Sequence, residues 1–276
     1  MGRAAALGRR PSRESPYGQK SMSQPNFTTP ARAAEADGPV MSTPATLTNI
    51  FFEPSRTFEA LRARPRFLVA GVIIVAAALV VTFLIFNKID YAAFMREQIT
   101  KGPRGDQMTP EQVERAVGFY TGPVGRVLIY FFPIIGVALS LAAGAGLYLL
   151  GAMLMGGRLR YKQALSVWTY SSFAPGLLQA VASVIVVLVT PAEDINPTQP
   201  GGLVRANLGV LIGPGGPKAL GALLGSLDLF AFYGLFLAAV GLRKVGKMSS
   251  GAAWTVAIGL WLVGVLLKVG WAALFG

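Results

Sequence analysis

Apolar residues gather into five long stretches with almost no charge, 67–86, 127–155, 164–190, 219–242 and 251–275, separated by shorter polar segments. An α-helix of about 20 residues crosses the hydrocarbon core of a bilayer, and all five stretches reach that length. None alternates apolar and polar positions as a barrel strand does. Lipid offers an unpaired backbone group no partner outside a helix or a closed barrel. The pattern predicts an all-α membrane protein with five transmembrane helices, its membrane domain spanning 67–276.

Composition agrees. The 276 residues are 53% hydrophobic and 14% charged, with mean hydropathy +0.53, whereas a soluble domain is about 25% charged. The net charge is +12. In a soluble chain that excess points to nucleic acid, but the cations here lie between apolar spans and do not form a folded basic surface with interleaved aromatics. No nucleic-acid partner is expected. The excess reports topology instead: 10 Lys and Arg precede the first span and 3 lie in each of the loops 156–163 and 243–250, against 6 in loop 87–126 and 2 in loop 191–218. By the positive-inside rule the amino terminus is cytoplasmic and the carboxyl terminus is outside.

The chain contains neither Cys nor His. That excludes thiolate nucleophiles, disulfides, Cys/His zinc sites, His-ligated haem and triads with a His base. No catalytic residue, cofactor or metal site is expected.

Residues 1–45, rich in Ala, Ser, Pro, Gly and Arg, read as a disordered cytoplasmic tail without the apolar core of a signal peptide. Translation starting at Met41 rather than Met1 is an alternative the sequence leaves open. Segment 46–66 sets Phe51, Phe52, Phe58 and Leu61 among Arg56, Arg62, Arg64 and Arg66. Such a segment either lies in the membrane interface or acts as a positively charged stop. Pro54 and Pro65 confine its helix to roughly 55–64. In the first outer loop, Thr109-Pro110-Glu111-Gln112 has capping-box spacing, so a helix is expected over 110–120 with Val113, Ala116, Val117 and Tyr120 on the membrane surface. A short interfacial helix is expected within 203–212.

Two charges fall inside spans, Asp228 in the fourth and Lys268 in the fifth. Reflection through the short connecting loop brings position 228 to about one turn from Lys268, which predicts an intramembrane ion pair. Its role is to fix helix register, with a proton or ion relay, or independent snorkelling of Lys268, as alternatives. Gly136, Ser140 and Gly144 form a small-residue stripe suited to helix packing, and Gly221 and Gly225 form a shorter one. Ser166, Thr169, Tyr170, Ser171 and Ser172 cluster early in the third span, either bonded back to the helix or lining a polar pocket capped by Pro175. Arg158, Arg160, Lys162, Arg243, Lys244 and Lys247 are expected to face anionic headgroups. Gly156-Gly157 and 213–217 lack the strand, helix and Lys-Ser/Thr context of a phosphate loop.

Ile50-Phe51-Phe52-Glu53-Pro54 with Phe58 and Arg64-Pro65 resembles the entry of bacterial members of the Yip (Ypt/Rab-interacting) domain family. Gly156-Gly157, Tyr161-Lys162-Gln163-Ala164 and Tyr170-Ser171-Ser172-Phe173-Ala174-Pro175 look like its middle signature. Asn207-Leu208 and Ser226-Leu227-Asp228-Leu229-Phe230, running to Gly241-Leu242, resemble its late one. The similarity spans roughly 46–276. It implies an integral membrane protein without enzymatic activity. Eukaryotic relatives bind small GTPases, but the Asp-Leu-x-Gly-Pro motif of those members is missing here. The resemblance implies non-enzymatic organisation of lipids or partner proteins in the bacterial cytoplasmic membrane, the partner being another membrane protein or a second copy. A small transporter or channel component using Asp228 is the alternative.

Overall fold

The computed structural model describes residue 2 and residues 41–275, apart from 103, 200, 201, 214 and 215. The expected tail therefore lies outside the described residues up to position 40, residue 2 aside. All the other described residues belong to one compact unit, Asp37–Gly276. Among the described residues there is no strand, only an isolated antiparallel bridge between Asn207 and Asp228.

Five helices are long and apolar enough to cross a membrane: α3 (Leu68–Lys88), α6 (Pro123–Leu154), α7 (Tyr161–Val189), α9 (Leu229–Gly246) and α10 (Ser250–Phe275). Their outward faces carry Leu68 and Val72 on α3, Phe132 and Leu139 on α6, and Leu266 and Leu267 on α10, each more than 60% exposed. Water does not tolerate such a continuous apolar surface, and acyl chains do. The molecule is an integral, multi-pass membrane protein.

Short connections make neighbouring helices antiparallel, so two ends can be defined. At the near end lie the start of α3, the α6–α7 turn and the α9–α10 turn. Gly156, at φ +74°, ends α6 there. The Gly157 N–H donates to the Ala152 carbonyl at 2.7 Å and the Gly156 N–H to Met153 at 3.2 Å, a left-handed cap that only glycine adopts without strain. The Arg158 N–H then donates to the Gly246 carbonyl at 2.9 Å, tying the two near-end turns together. At the far end, Lys88 Nζ donates to the Val187 and Leu188 carbonyls, so α3 and α7 finish side by side.

The segment expected in the membrane interface packs one face into the protein core, while Phe52, Arg56 and Arg64 stay exposed. It forms two helices, α1 (Thr43–Phe52) and α2 (Pro54–Ala63). Ser42 caps the first, and Pro54, which has no N–H to continue it, opens the second. Ile50, Phe58 and Leu61 are fully buried against α7 and α9. Room for Phe58 comes from Gly241 on α9, where a Cβ would stand 3.0 Å from Phe58 Cε1 and 2.7 Å from Val167 Cγ1. Burying a Phe or Leu side chain stabilises by about 1.5–3 kcal/mol each, and filling this space gains more than resting on headgroups. Polar ties complete the docking: Gln163 Nε2 donates to the Arg62 carbonyl at 3.0 Å, Arg66 Nη1 to the Met41 carbonyl at 3.0 Å, and Lys244 pairs with Glu59 at 2.5 Å.

The first far-end loop holds two more helices, α4 (Tyr91–Thr100) and α5 (Pro110–Thr121). The expected capping box forms: the Thr109 N–H donates to Gln112 Oε1 at 2.8 Å and the Gln112 N–H to Thr109 Oγ1 at 3.4 Å. Val113 and Val117 are buried, but against α4 and α6 rather than a membrane surface, and Tyr120 is exposed. Arg96 and Glu114 clamp the hairpin with two hydrogen bonds of 2.7 and 3.0 Å. In the second far-end loop the expected helix shrinks to one 3-10 turn, Leu208–Leu211.

The fourth apolar stretch is not one helix. It divides into α8 (Lys218–Leu224) and α9, with Gly225–Asp228 between them. Hydropathy runs straight through this break. Capping makes it, because the Asp228 carboxylate accepts hydrogen bonds from the N–H groups of Phe230 and Ala231, at 2.8 and 3.1 Å. The 18 residues of α9 still cover about 27 Å at 1.5 Å per residue.

Candidate functional site

Beside the break between α8 and α9 lies a cavity of about 930 Å³, bounded by α6, α7, α8, α9, α10 and the loop before α8. Its deepest lining residues, Tyr148, Trp168 and Ala257, stand six or seven residues from the near-end termini of their helices. That leaves about 10 Å of packed helix beneath them at 1.5 Å per residue. The floor is tight, since a Cβ on Gly151 would lie 2.6 Å from Val256 Cγ1, and one turn above Tyr148 a Cβ on Gly144 would lie 2.0 Å from Trp168 Cε2. Tyr148 meets Trp168 edge-on at 4.7 Å. The Nε1 of Trp168 and the Oγ1 of neighbouring Thr169 are buried without a hydrogen-bond partner. The walls are mostly apolar, and the polar groups collect toward the far end, where Lys218, Asp228 and Lys268 line the cavity.

Asp228 and Lys268 therefore share one cavity but form no ion pair, since no carboxylate–ammonium contact within 4.0 Å joins them. The sequence places Asp228 deep in a continuous helix; it stands instead at the N-cap of α9. There its Oδ1 is held by two backbone N–H groups, and Asn207 Nδ2 donates to its Oδ2 at 3.3 Å. A carboxylate that accepts from a helix N-terminus and an amide is already stabilised as the anion. The antiparallel packing of α9 on α10, on which the predicted pair rested, does form, with Phe232 and Trp261 6.1 Å apart.

Two segments distant in the chain meet here. The Leu208 N–H donates to the Leu227 carbonyl at 3.3 Å and the Leu229 N–H to Ala206 at 3.1 Å, which seats the loop on the start of α9. Asn207-Leu208 and Ser226–Phe230, both conspicuous in the sequence, are thus one structural unit. Lys218, also on the cavity wall, carried no sequence signal beyond being a cation next to an apolar run.

The small-residue stripe divides. Gly144 is buried against Trp168, but a Cβ on Gly136 meets nothing within 4 Å, and Ser140 is exposed. The residues of α6 that pack inward are Gly144, Ala145, Tyr148 and Ala152, one turn apart near the floor. Of the shorter stripe, Gly225 ends α8 beside Asn207, its Cβ position 3.9 Å from Asn207 Oδ1, and Gly221 barely touches Ile212.

The hydroxyl cluster also divides. The Ser166 hydroxyl donates to the Lys162 carbonyl at 3.0 Å and the Ser171 hydroxyl to Trp168 at 3.0 Å, both bonds back along the helix. The Tyr170 hydroxyl donates to Thr46 Oγ1 at 3.3 Å, joining α7 to α1. Ser171, Ser172 and Pro175 also line the cavity. Arg158, Arg160, Lys162, Arg243 and Lys247 are exposed at the near end, but Lys244 is committed to Glu59.

The family model of the Yip1 domain matches residues 48–272. A Bacillus subtilis (strain 168) protein called membrane protein YknW is 27% identical over 216 residues, covering 77% of this chain and 83% of its own. No solved structure matches the chain. The match runs from the second half of α1 through α2, the Asn207–Asp228 unit and the five spans to within three residues of the end of α10, and the chain belongs to the Yip1 domain family.

Proposed function

We propose that the protein is a non-enzymatic component of a bacterial cytoplasmic membrane, amino terminus in the cytoplasm, that organises lipids or partner membrane proteins. The observation that carries this reading is the largely apolar cavity bounded by α6, α7, α8, α9 and α10, with packed helix beneath its near-end lining residues. A vessel with a floor retains a ligand or a partner segment; a conduit needs two mouths. The exposed cations Arg158, Arg160, Lys162, Arg243 and Lys247 support contact with anionic headgroups at the near end. Crosslinking in the native membrane followed by mass spectrometry tests the reading. A reproducible lipid or protein partner is the expected result, and recovery of uncrosslinked protein alone would overturn it.

One observation favours transport as the second reading: Asp228 reaches the cavity and has no lysine against it. Proton flux through reconstituted protein that Asp228→Asn abolishes would establish it. The scaffold reading expects no flux above that of empty vesicles.

A further inference from the structure

We infer that the cavity seats one phospholipid with an anionic phosphate headgroup, its phosphate between Lys218 and Lys268 and an acyl chain along the apolar wall. The inference rests on the lipid-organising reading above and names its ligand.

Three observations converge. The first is charge. Two ammonium groups and one carboxylate line the cavity, leaving its lining net positive, and the carboxylate accepts hydrogen bonds from Phe230, Ala231 and Asn207. Among the described residues neither Lys218 nor Lys268 takes part in an ion pair. Lys268 lies seven residues before the end of α10, so about 10 Å inside the span at 1.5 Å per residue. An ammonium at that depth is costly without a counter-charge. The polar end of the cavity is therefore built for an anion.

The second is shape. From Lys268 to Ala257 the cavity follows eleven residues of α10, about 16 Å at the helical rise. Its walls over that length are largely apolar, including Leu147, Leu260, Trp261 and Val265. A volume of about 930 Å³ is near the top of the range for ligand pockets, about 300–1,000 Å³. One charged end and a long apolar body match an amphiphile.

The third is access. On the α6 side only Leu147 and Tyr148 line the cavity. Farther toward the far end α6 packs on α3 instead, and none of its residues from 126 to 143 is buried. The wall between α6 and α10 is thus missing where the bilayer lies, and a lipid enters sideways without leaving the membrane.

The test is native mass spectrometry of the intact protein in mild detergent, titrated with phosphatidylglycerol, phosphatidylcholine or glycerol phosphate. One tight phosphatidylglycerol adduct is expected, at least ten-fold preferred over phosphatidylcholine, with none from glycerol phosphate. Lys218→Gln with Lys268→Gln should abolish the preference, while Asp228→Asn and a near-end Arg158→Gln, Lys247→Gln variant should retain it. Elution volume and helical circular dichroism verify that each variant is folded. Equal binding of the two lipids, an unchanged double lysine variant, or saturation by glycerol phosphate overturns the inference. A protein that binds no lipid yet crosslinks to a membrane partner overturns this inference and leaves the organising reading standing.

Discussion

The Cβ that Gly144 lacks would fall 2.0 Å from Cε2 of Trp168, far inside van der Waals contact with the indole ring. Here α6 and α7 touch backbone to ring, which fixes Trp168 where it lines the cavity. Gly144→Ala has to push the indole or the helix aside, and overpacking of this kind costs about 1–3 kcal/mol. Gly136→Ala, on the same face two turns away, meets nothing within 4 Å and should stay within about 0.5 kcal/mol of wild type. Thermal melts of the two variants in one detergent measure the contrast; equal melting temperatures would refute the assignment.

Asp228 is a helix cap before it is anything else. Asp228→Ala should destabilise by about 0.5–2 kcal/mol, whereas Asp228→Asn, with a side chain that also caps, should lose much less. If both variants melt alike, the capping account fails. Asn207→Ala should loosen the loop before α8, read as faster amide exchange at 206–208 and 227–229.

Glu59 and Lys244 join α2 to α9 at 2.5 Å, with both side chains about one-third exposed. A partly exposed pair contributes about 0.2–1 kcal/mol. A double-mutant cycle with Glu59→Gln and Lys244→Gln should yield a coupling in that range. Phe58→Ala, which empties a fully buried ring site, should cost about 3–5 kcal/mol. A ranking in the opposite order would mean that charge, not burial, docks α2.

The α4–α5 hairpin should open in acid. Hydrogen bonds from the Arg96 guanidinium hold the Glu114 carboxyl below the ordinary carboxylate range, and the Thr109 hydroxyl does the same for Glu111. A depressed folded-state value means the stabilisation is present above the unfolded carboxylate value, about 4.3. It is lost as pH falls through the folded value. Amide exchange over 91–121, corrected for intrinsic rate, should lose protection between pH 5 and about pH 3. Glu114→Gln should remove most of that dependence, and a wild-type profile in the variant would refute it.

Because the chain has no cysteine, single introduced thiols report orientation cleanly. Arg158→Cys should react with an impermeant maleimide only after the cell is opened, and Glu193→Cys should react from outside. The reverse pattern would invert the topology.

Much of the architecture is legible without coordinates because lipid solvation is a one-dimensional demand. A span needs enough consecutive apolar residues, whatever lies beside it, so α3, α6, α7 and α10 begin and end within a few residues of where hydropathy places them. The α5 capping box is equally local, confined to Thr109 and Gln112. Asp228 is where such reading breaks down. Its neighbours are apolar on both sides, so hydropathy continues the helix, and only the geometry of its carboxylate against two N–H groups ends it.

The amino-acid order by itself determined the class of protein, the number of crossings, the charge asymmetry between the two sides and the absence of thiol and imidazole chemistry. Those properties sum over neighbouring residues. Tertiary packing decided that Phe58 enters the core and not the interface, that Gly144 packs while Gly136 does not, and that Asp228 and Lys268 share a cavity without pairing. Each of these depends on which helix lies opposite and at what rotation, a property of pairs of surfaces remote in the chain that no local period encodes.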